Sequence, residues 1–402
     1  MNRRIFVFLL VIGAGAGVAA REVLAQRAAA RVMAPAFDVD PLWPKPLPNH
    51  WVVGSVIGVS VDRRDHVWII HRPGSLDRKE RYRDQTPQAG ECCSAAPPVL
   101  EFDEAGNLVG HWGGPGQGYE WPESNHGIFV DYKDNVWIGG NGAPDAQVLK
   151  FTRDGKFLMQ IGRSGVHKAA GAATEQAAFG GNSTDTKNFG RAAKIFVDAK
   201  TNEAYIADGY LNRRVAVIDA DTGQMKRFWG AYGHKPTDVD SGPYNPDAPI
   251  DQQFRTPVHC ADLSVDNLLY VCDRRNDRLQ VFKPDGTFVK EQIIGKRSLG
   301  DGAVFDVAFS RDAQQAYLYI ADGTNMKVRI LRRDTLEELT SFGDGGRQPG
   351  QFYAVHSIAT DSKGNIYTTE TYEGKRVQKF NYRGLRPVGA RDQGVVWPTA
   401  RP

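Results

Sequence analysis

The chain has 402 residues, 50 Lys and Arg against 47 Asp and Glu, and a formal net charge of +3. A charge so near balance, with no basic block carrying interleaved aromatics, argues against nucleic acid as a partner. The 43 glycines and 22 prolines, and the near absence of helical periodicity, exclude a helical protein and fit many short strands joined by turns.

In chain order, the first 25 residues read as a targeting segment. Arg3 and Arg4 precede the apolar stretch Ile5 to Ala20, and small residues follow at Val18-Ala19-Ala20 and Val23-Leu24-Ala25. These are the parts of a secretory signal, and Asn2-Arg3-Arg4-Ile5-Phe6 also loosely fits a twin-arginine signal. The apolar stretch is diluted by Gly13, Gly15 and Gly17 and falls short of the ~20 residues needed to span a bilayer. The expectation is export to the periplasm or outside, with no stable membrane span after cleavage. Residues 26–48, rich in Ala and then Pro, read as a leader.

From residue 49 to about 390 one pattern occurs six times, and residues 391–402 form a tail. Each copy is an apolar strand, a tight turn, an aromatic-centred strand and a Val-x-x-Phe-like strand. The first strands end at Asp62, Asp131, Asp198, Asp266, Ser310 and Asp361, and the second centre on Trp68, Trp137, Tyr205, Tyr270, Tyr319 and Tyr367. The third strands include Val99–Phe102, Val148–Phe151, Val215–Ile218, Leu279–Phe282, Val328–Leu331 and Val377–Phe380, and Gly106, Gly155, Gly223, Gly286 and Gly384 follow in five copies. One such unit cannot bury both its faces, whereas a ring of them can. The fold expected is an all-β, six-bladed β-propeller, one domain and a monomer. The last copy lacks a clear fourth strand, which must come from 384–390 or from residues around 37–55.

In a propeller the first strand of each blade lines the channel, and strands run alternately up and down. The loop entering the first strand and the loop joining strands two and three therefore open on one face. The long connections 113–124, 161–191, 230–257, 343–354 and 71–97 all fall there, which marks that face as functional. At equivalent starts of first strands stand Ile57, His126, Ala193, His259, Phe305 and His356. Three histidines in alternate blades, converging on one channel, suit Zn²⁺ or another divalent transition metal with a position open for substrate. Arg72, Tyr210 and Arg274, at the ends of second strands, aim at the same place. Asn212 and Asn325 instead read as loop caps repeated for structural reasons.

Export makes the four cysteines candidates for disulfides. Cys260 and Cys272 are each six residues from Asp266 and would lie opposite one another across a hairpin. Cys92-Cys93, in the long loop of the first blade, could bond to each other or pair elsewhere.

The copy Gly350-Gln-Phe352, His356 to Asp361, Asn365-Ile-Tyr367 and Arg376-Val-Gln-Lys-Phe380 resembles NHL-repeat propellers. His71-Arg72, Ala207-Asp-Gly-Tyr210-x-Asn212-x-Arg214, Phe254-x-x-Pro257-x-His259 and Asp273-Arg274-x-Asn276-x-Arg278 more specifically resemble the peptidyl-α-hydroxyglycine α-amidating lyases. That resemblance implies a catalytic Tyr210, catalytic Arg72 and Arg274, and zinc ligands His259 and His356. Ala146 stands where the family places its third histidine, leaving His126 to supply that nitrogen. Ser357 replaces the acidic residue that helps hold a structural calcium, which puts Ca²⁺ in doubt.

The function expected is cleavage of the C–N bond of an α-hydroxyglycine-type small molecule or peptide to an amide and glyoxylate. Arg72 would grip the substrate carboxylate and Arg274 would lower the pKa of Tyr210. Two alternatives stand beside it. One is a non-catalytic platform binding protein or glycan. The other is a calcium-dependent lactonase-like hydrolase, against which the imidazole-lined channel argues, because calcium prefers carboxylate and carbonyl oxygens.

Overall fold

A computed structural model describes residues 32–168 and 179–398. Among them six four-stranded antiparallel sheets alternate with loops. Their innermost strands are Ser55–Val61, Asn125–Val130, Ala192–Asp198, Val258–Leu263, Asp306–Phe309 and Val355–Thr360. Each packs beside the next, and Val355–Thr360 packs against Ser55–Val61, so the ring closes. The chain is a six-bladed β-propeller.

The Asp-turn-aromatic pattern is one hydrogen-bonded unit. Asp62 accepts the backbone N–H groups of Arg64 (2.8 Å) and His66 (3.0 Å) and the indole N–H of Trp68 (3.1 Å). Asp131 does the same for Lys133, Asn135 and Trp137, and Asp361 for Lys363, Asn365 and the Tyr367 hydroxyl. A side-chain acceptor that satisfies turn donors fixes the hairpin locally. In these three blades it also lets the aromatic bury its polar tip, and the equivalent Tyr205, Tyr270 and Tyr319 are buried as well.

The loops joining strands two and three carry a second repeated device. Asp208 accepts from Asn212 (2.7 Å) and Arg214 (2.8 Å), and Asp273 from Asn276 (2.8 Å) and Arg278 (2.7 Å). Asp322 pairs likewise with Asn325 and Arg329. The asparagines thus cap loops, as the sequence suggests, and these ion pairs tie the loops of this upper face to the strands that carry them.

Ring closure differs in detail from the sequence expectation. Met33–Asp40 is the outer strand of the last blade, antiparallel to Arg376–Pro387, with Val39 opposite Phe380. It lies within the stretch 26–48 read as a leader, and it starts upstream of 37–55. Gly384 is not a hairpin turn but a left-handed residue inside that long strand, φ +79°. A strand that receives its partner from the other end of the chain needs no turn after it. Residues of the tail 391–402 are also docked: Gln393 N–H donates to Ser341 O (2.9 Å), and Val39 N–H to Val396 O (2.8 Å). This protects the outer edge. The targeting segment 1–25 lies outside the described residues.

Candidate functional site

The channel brings His126, His259 and His356 together. Their candidate ligand nitrogens all lie within 4.8 Å of one another, and their ring centroids are 4.8–5.1 Å apart. Each ring turns its Nδ1 to a backbone carbonyl of the following blade: Ala193 O (2.7 Å), Phe305 O (2.5 Å) and Ile57 O (2.7 Å). Those acceptors are the three non-histidine members of the same six equivalent positions. The carbonyl requires Nδ1 to carry the proton, so Nε2 keeps its lone pair.

Burial depresses the basicity of all three imidazoles, and neighbouring Arg274 or Arg72 and the other histidines depress it further. For His356, burial and then Arg274 bring the pKa to about 3. The rings are therefore neutral at physiological pH. Three buried, neutral imidazoles with oriented second nitrogens form a donor set that could hold Zn²⁺ or a similar divalent metal.

Tyr210 lies over this cluster. Its hydroxyl is 2.9 Å from His126 Nε2 and 3.0 Å from His259 Nε2, and it accepts Arg274 Nη1–H at 3.3 Å. Gly209 makes the approach feasible, since a Cβ there would lie 2.0 Å from Val258 O. Arg274 is buried and its guanidinium lies 4.6 Å from the Phe305 ring centroid.

Arg72 reaches from the first blade to the second, donating Nε–H to Asn125 O (3.0 Å) and Nη2–H to Asn141 Oδ1 (2.6 Å). Asn125 returns a bond from its amide to His71 O (2.8 Å). His71 itself is structural. It accepts Gly54 N–H at 3.1 Å, pairs its Nε2 with Pro97 O at 2.9 Å, and burial lowers its pKa to about 4.

Below the histidines the channel is filled by an ion cluster that the sequence did not disclose. Lys194 Nζ contacts Asp262 (2.9 Å) and Asp306 (2.5 Å), and Asp306 also accepts from Ser357 Oγ (2.6 Å) and Ile358 N–H (3.0 Å). The ammonium supplies the positive charge at this level, and Ser357, beside His356, serves Asp306.

Other sequence-derived residues fall as follows. Ala146 is buried in the second blade, where its carbonyl accepts Phe189 N–H, away from the cluster. The third histidine position is His126, on the first strand rather than in the loop 140–147. Cys260 and Cys272 are register partners and form a disulfide, Cα–Cα 4.8 Å. Cys92 and Cys93 form a vicinal disulfide.

Asp301 and Tyr372 at the channel mouth were not foreseen. Both stand where the fold directs attention, one in the loop entering the fifth blade and one in the loop joining strands two and three of the sixth. The Tyr372 hydroxyl donates to Asp301 Oδ2 at 2.9 Å.

The fold and site therefore define a six-bladed propeller with a three-histidine centre capped by a tyrosine and an arginine. Compared with known proteins, the chain resembles the α-amidating lyases. It is 26% identical over 374 residues to peptidyl-α-hydroxyglycine α-amidating lyase 1 of Drosophila melanogaster, covering 85% of this chain and 59% of that one. It is 24% identical over 370 residues to NHL repeat-containing protein 3 of Mus musculus, covering 87% and 85%. The chain spans less than two thirds of the fly protein and 36% of the Xenopus laevis peptidyl-glycine α-amidating monooxygenase B. Among solved structures, virginiamycin B lyase from Staphylococcus aureus is 11% identical with a TM-score of 0.48, over 86% of this chain and 99% of that one. No family model matches.

Proposed function

We propose that this protein is a carbon–nitrogen lyase that splits an α-hydroxyglycine-type substrate into an amide and glyoxylate. The observation that carries the reading is the Tyr210 hydroxyl, held between two neutral imidazoles and one arginine. A divalent transition metal held by His126, His259 and His356 would polarise the substrate oxygen.

Tyr210, acting as its phenolate, takes the proton of the substrate hydroxyl. The O–H electron pair becomes the second bond of the glyoxylate carbonyl, the C–N pair leaves on the amide nitrogen, and the Tyr210 phenol so formed returns its proton to that nitrogen. Of the two tyrosines at the mouth, Tyr372 is unsuited to this role. Burial and then the Asp301 carboxylate push its pKa up to about 12. Tyr210 faces cations and neutral rings instead. Arg72 and Arg274 supply the positive surface for the substrate carboxylate. Arg72 spends Nε and Nη2 on the second blade, so a two-pronged grip from Arg72 alone, as the sequence suggested, would break one of those bonds.

A calcium-dependent hydrolase fits less well, because the channel carboxylates Asp262 and Asp306 are already paired with Lys194. Export is part of the reading. It is supported by two disulfides.

The test is glyoxylate release from α-hydroxyhippurate by metal-replete protein. Tyr210→Phe is expected to lower turnover by about 10²–10⁴-fold with the fold intact. No glyoxylate from metal-replete wild type would overturn the lyase reading in favour of a binding platform.

A further inference from the structure

Arg274 stands apart from the other buried arginines of the upper face. Arg214 donates to Asp208 (2.8 Å) and to the carbonyls of Ser183 (3.0 Å), Asp185 (2.6 Å) and Asn188 (3.0 Å). Arg278 donates to Asp273 (2.7 Å) and to the carbonyls of Asp251 (2.7 Å) and Gln253 (2.9 Å). Arg274, nearly as buried, lies over the Phe305 and Tyr210 rings, and its only polar contacts are the 3.3 Å bond to Tyr210 and a 3.6 Å contact from Nη2 to Asp301 Oδ1. Its Nε is buried with no partner among the described residues. A buried guanidinium left so poorly satisfied is costly unless a ligand completes it.

The nearby carboxylate is held at a short remove. Asp301 Oδ2 accepts the Tyr372 hydroxyl (2.9 Å), and Oδ1 accepts Arg275 Nη2–H (3.1 Å). Gly302 packs directly against the Arg274 backbone, where a Cβ would be 1.9 Å from the Arg274 carbonyl, so the loop carrying Asp301 can come no closer there. The Tyr372 loop is itself tied down: Tyr372 O accepts Ser55 Oγ (2.8 Å), and Lys375 pairs with Glu80 (2.5 Å). Burial opposes ionisation of Asp301, but Arg274, Arg275 and the Tyr372 hydroxyl outweigh it and hold the carboxyl below its ordinary range. Asp301 is thus an anion poised beside an under-satisfied cation, restrained from a full ion pair.

We propose that Asp301 is the resting counter-ion of Arg274, that the carboxylate of a small-molecule ligand takes over its place, and that Tyr372 holds Asp301 aside to leave room. This rests on the reading of the channel mouth as a site for a carboxylate-bearing substrate. Asp301 is a positioning residue here: it sets what Arg274 can bind and touches no reacting atom. A ligand carboxylate gains the free donors of Arg274 and is repelled by Asp301, so the loop makes binding weaker and release easier than Arg274 alone would.

The test is calorimetric titration of the Zn²⁺-supplemented full chain with hippurate, which has the carboxylate but no hydroxyl to react. Removing a like charge about 7 Å from a bound anion predicts binding on the order of tenfold tighter in Asp301→Asn. Asp301→Glu keeps the charge and should stay as weak as wild type. Tyr372→Phe, which frees Asp301 to close on Arg274, should bind more weakly, and Arg274→Ala should lose binding. A merely structural Asp301 would give weaker binding in Asp301→Asn, and equal or weaker binding overturns the proposal. Tighter binding in Tyr372→Phe overturns the holding role, and hippurate binding by no variant overturns the whole. If Asp301→Asn tightens binding while wild type releases no glyoxylate from α-hydroxyhippurate, the lyase reading fails and this one stands. If glyoxylate is released and Asp301→Asn is unchanged, the reverse holds.

Discussion

Replacing Lys194 by Met tests the ion cluster that supports the histidines. The Lys194 ammonium is buried with two carboxylates, Asp262 at 2.9 Å and Asp306 at 2.5 Å. Burial opposes its charge, but the two carboxylates outweigh burial and raise its pKa. A group whose folded pKa is raised contributes fully below its unfolded value of ~10.4, so the lysine's own titration takes nothing away between pH 5 and 8. Removing one partner of a buried ion pair costs about 3–5 kcal/mol, because the other charge is left uncompensated.

The variant should also acquire a pH dependence. Burial already holds Asp262 above the usual carboxylate range, against the pull of Lys194. Without the lysine, the folded pKa of Asp262 rises further, so the penalty grows as pH climbs above its unfolded value of ~3.9. It is smaller at pH 5, where a proton replaces the ammonium, than at pH 8. Urea unfolding followed by tryptophan fluorescence measures this, with a midpoint loss of roughly 1 M at pH 8 for an m-value near 3 kcal/mol/M. Adding Asp306→Asn should restore part of the loss, since it removes one orphaned charge. A loss under about 1 kcal/mol at pH 8, or a larger loss at pH 5 than at pH 8, would refute the reasoning.

The remaining expectations are simpler to test. The protein should bind about one Zn²⁺ per chain by elemental analysis, and His126→Ala, His259→Ala or His356→Ala should each lower the affinity at least tenfold, because each removes one of three oriented nitrogens. Retention of stoichiometric metal by the triple variant would place the ion elsewhere. Cys260→Ala with Cys272→Ala should lower stability by about 2–3 kcal/mol under oxidising conditions, the loop closed being short. The same variant compared under reductant should show no difference attributable to the bond. Phe37→Ala should cost about 3–5 kcal/mol in urea unfolding, because Phe37 packs on Tyr319 (5.5 Å), Phe342 (5.6 Å) and Tyr382 (5.8 Å). A negligible effect would mean that the N-terminal strand does not close the ring in solution.

The ring was legible in the sequence because its cause is local. Asp62 with Trp68, Asp131 with Trp137 and Asp361 with Tyr367 each make a hydrogen-bonded unit within seven residues, so the period is written directly in the chain. The alternation of His126, His259 and His356 was legible for the same reason, since equivalent positions on first strands must point at one channel. The source of the closing strand was not, because Met33–Asp40 pairs with residues 339 to 354 positions away, and no local pattern ties it to them. The sequence also named His126 for the third nitrogen, but that its ring stands with the other two depended on which backbone faces the channel.

The protonation of the histidines was likewise settled by tertiary structure. Their Nδ1 partners are carbonyls of the neighbouring blades, and a carbonyl leaves no trace in residue identity. Lys194, Asp262 and Asp306 come from three different blades, and Asp301 and Tyr372 from two, so their meeting is decided only when the ring closes. Local chemistry wrote the blades, and the long-range packing of one blade against the next determined which charges came to share the channel.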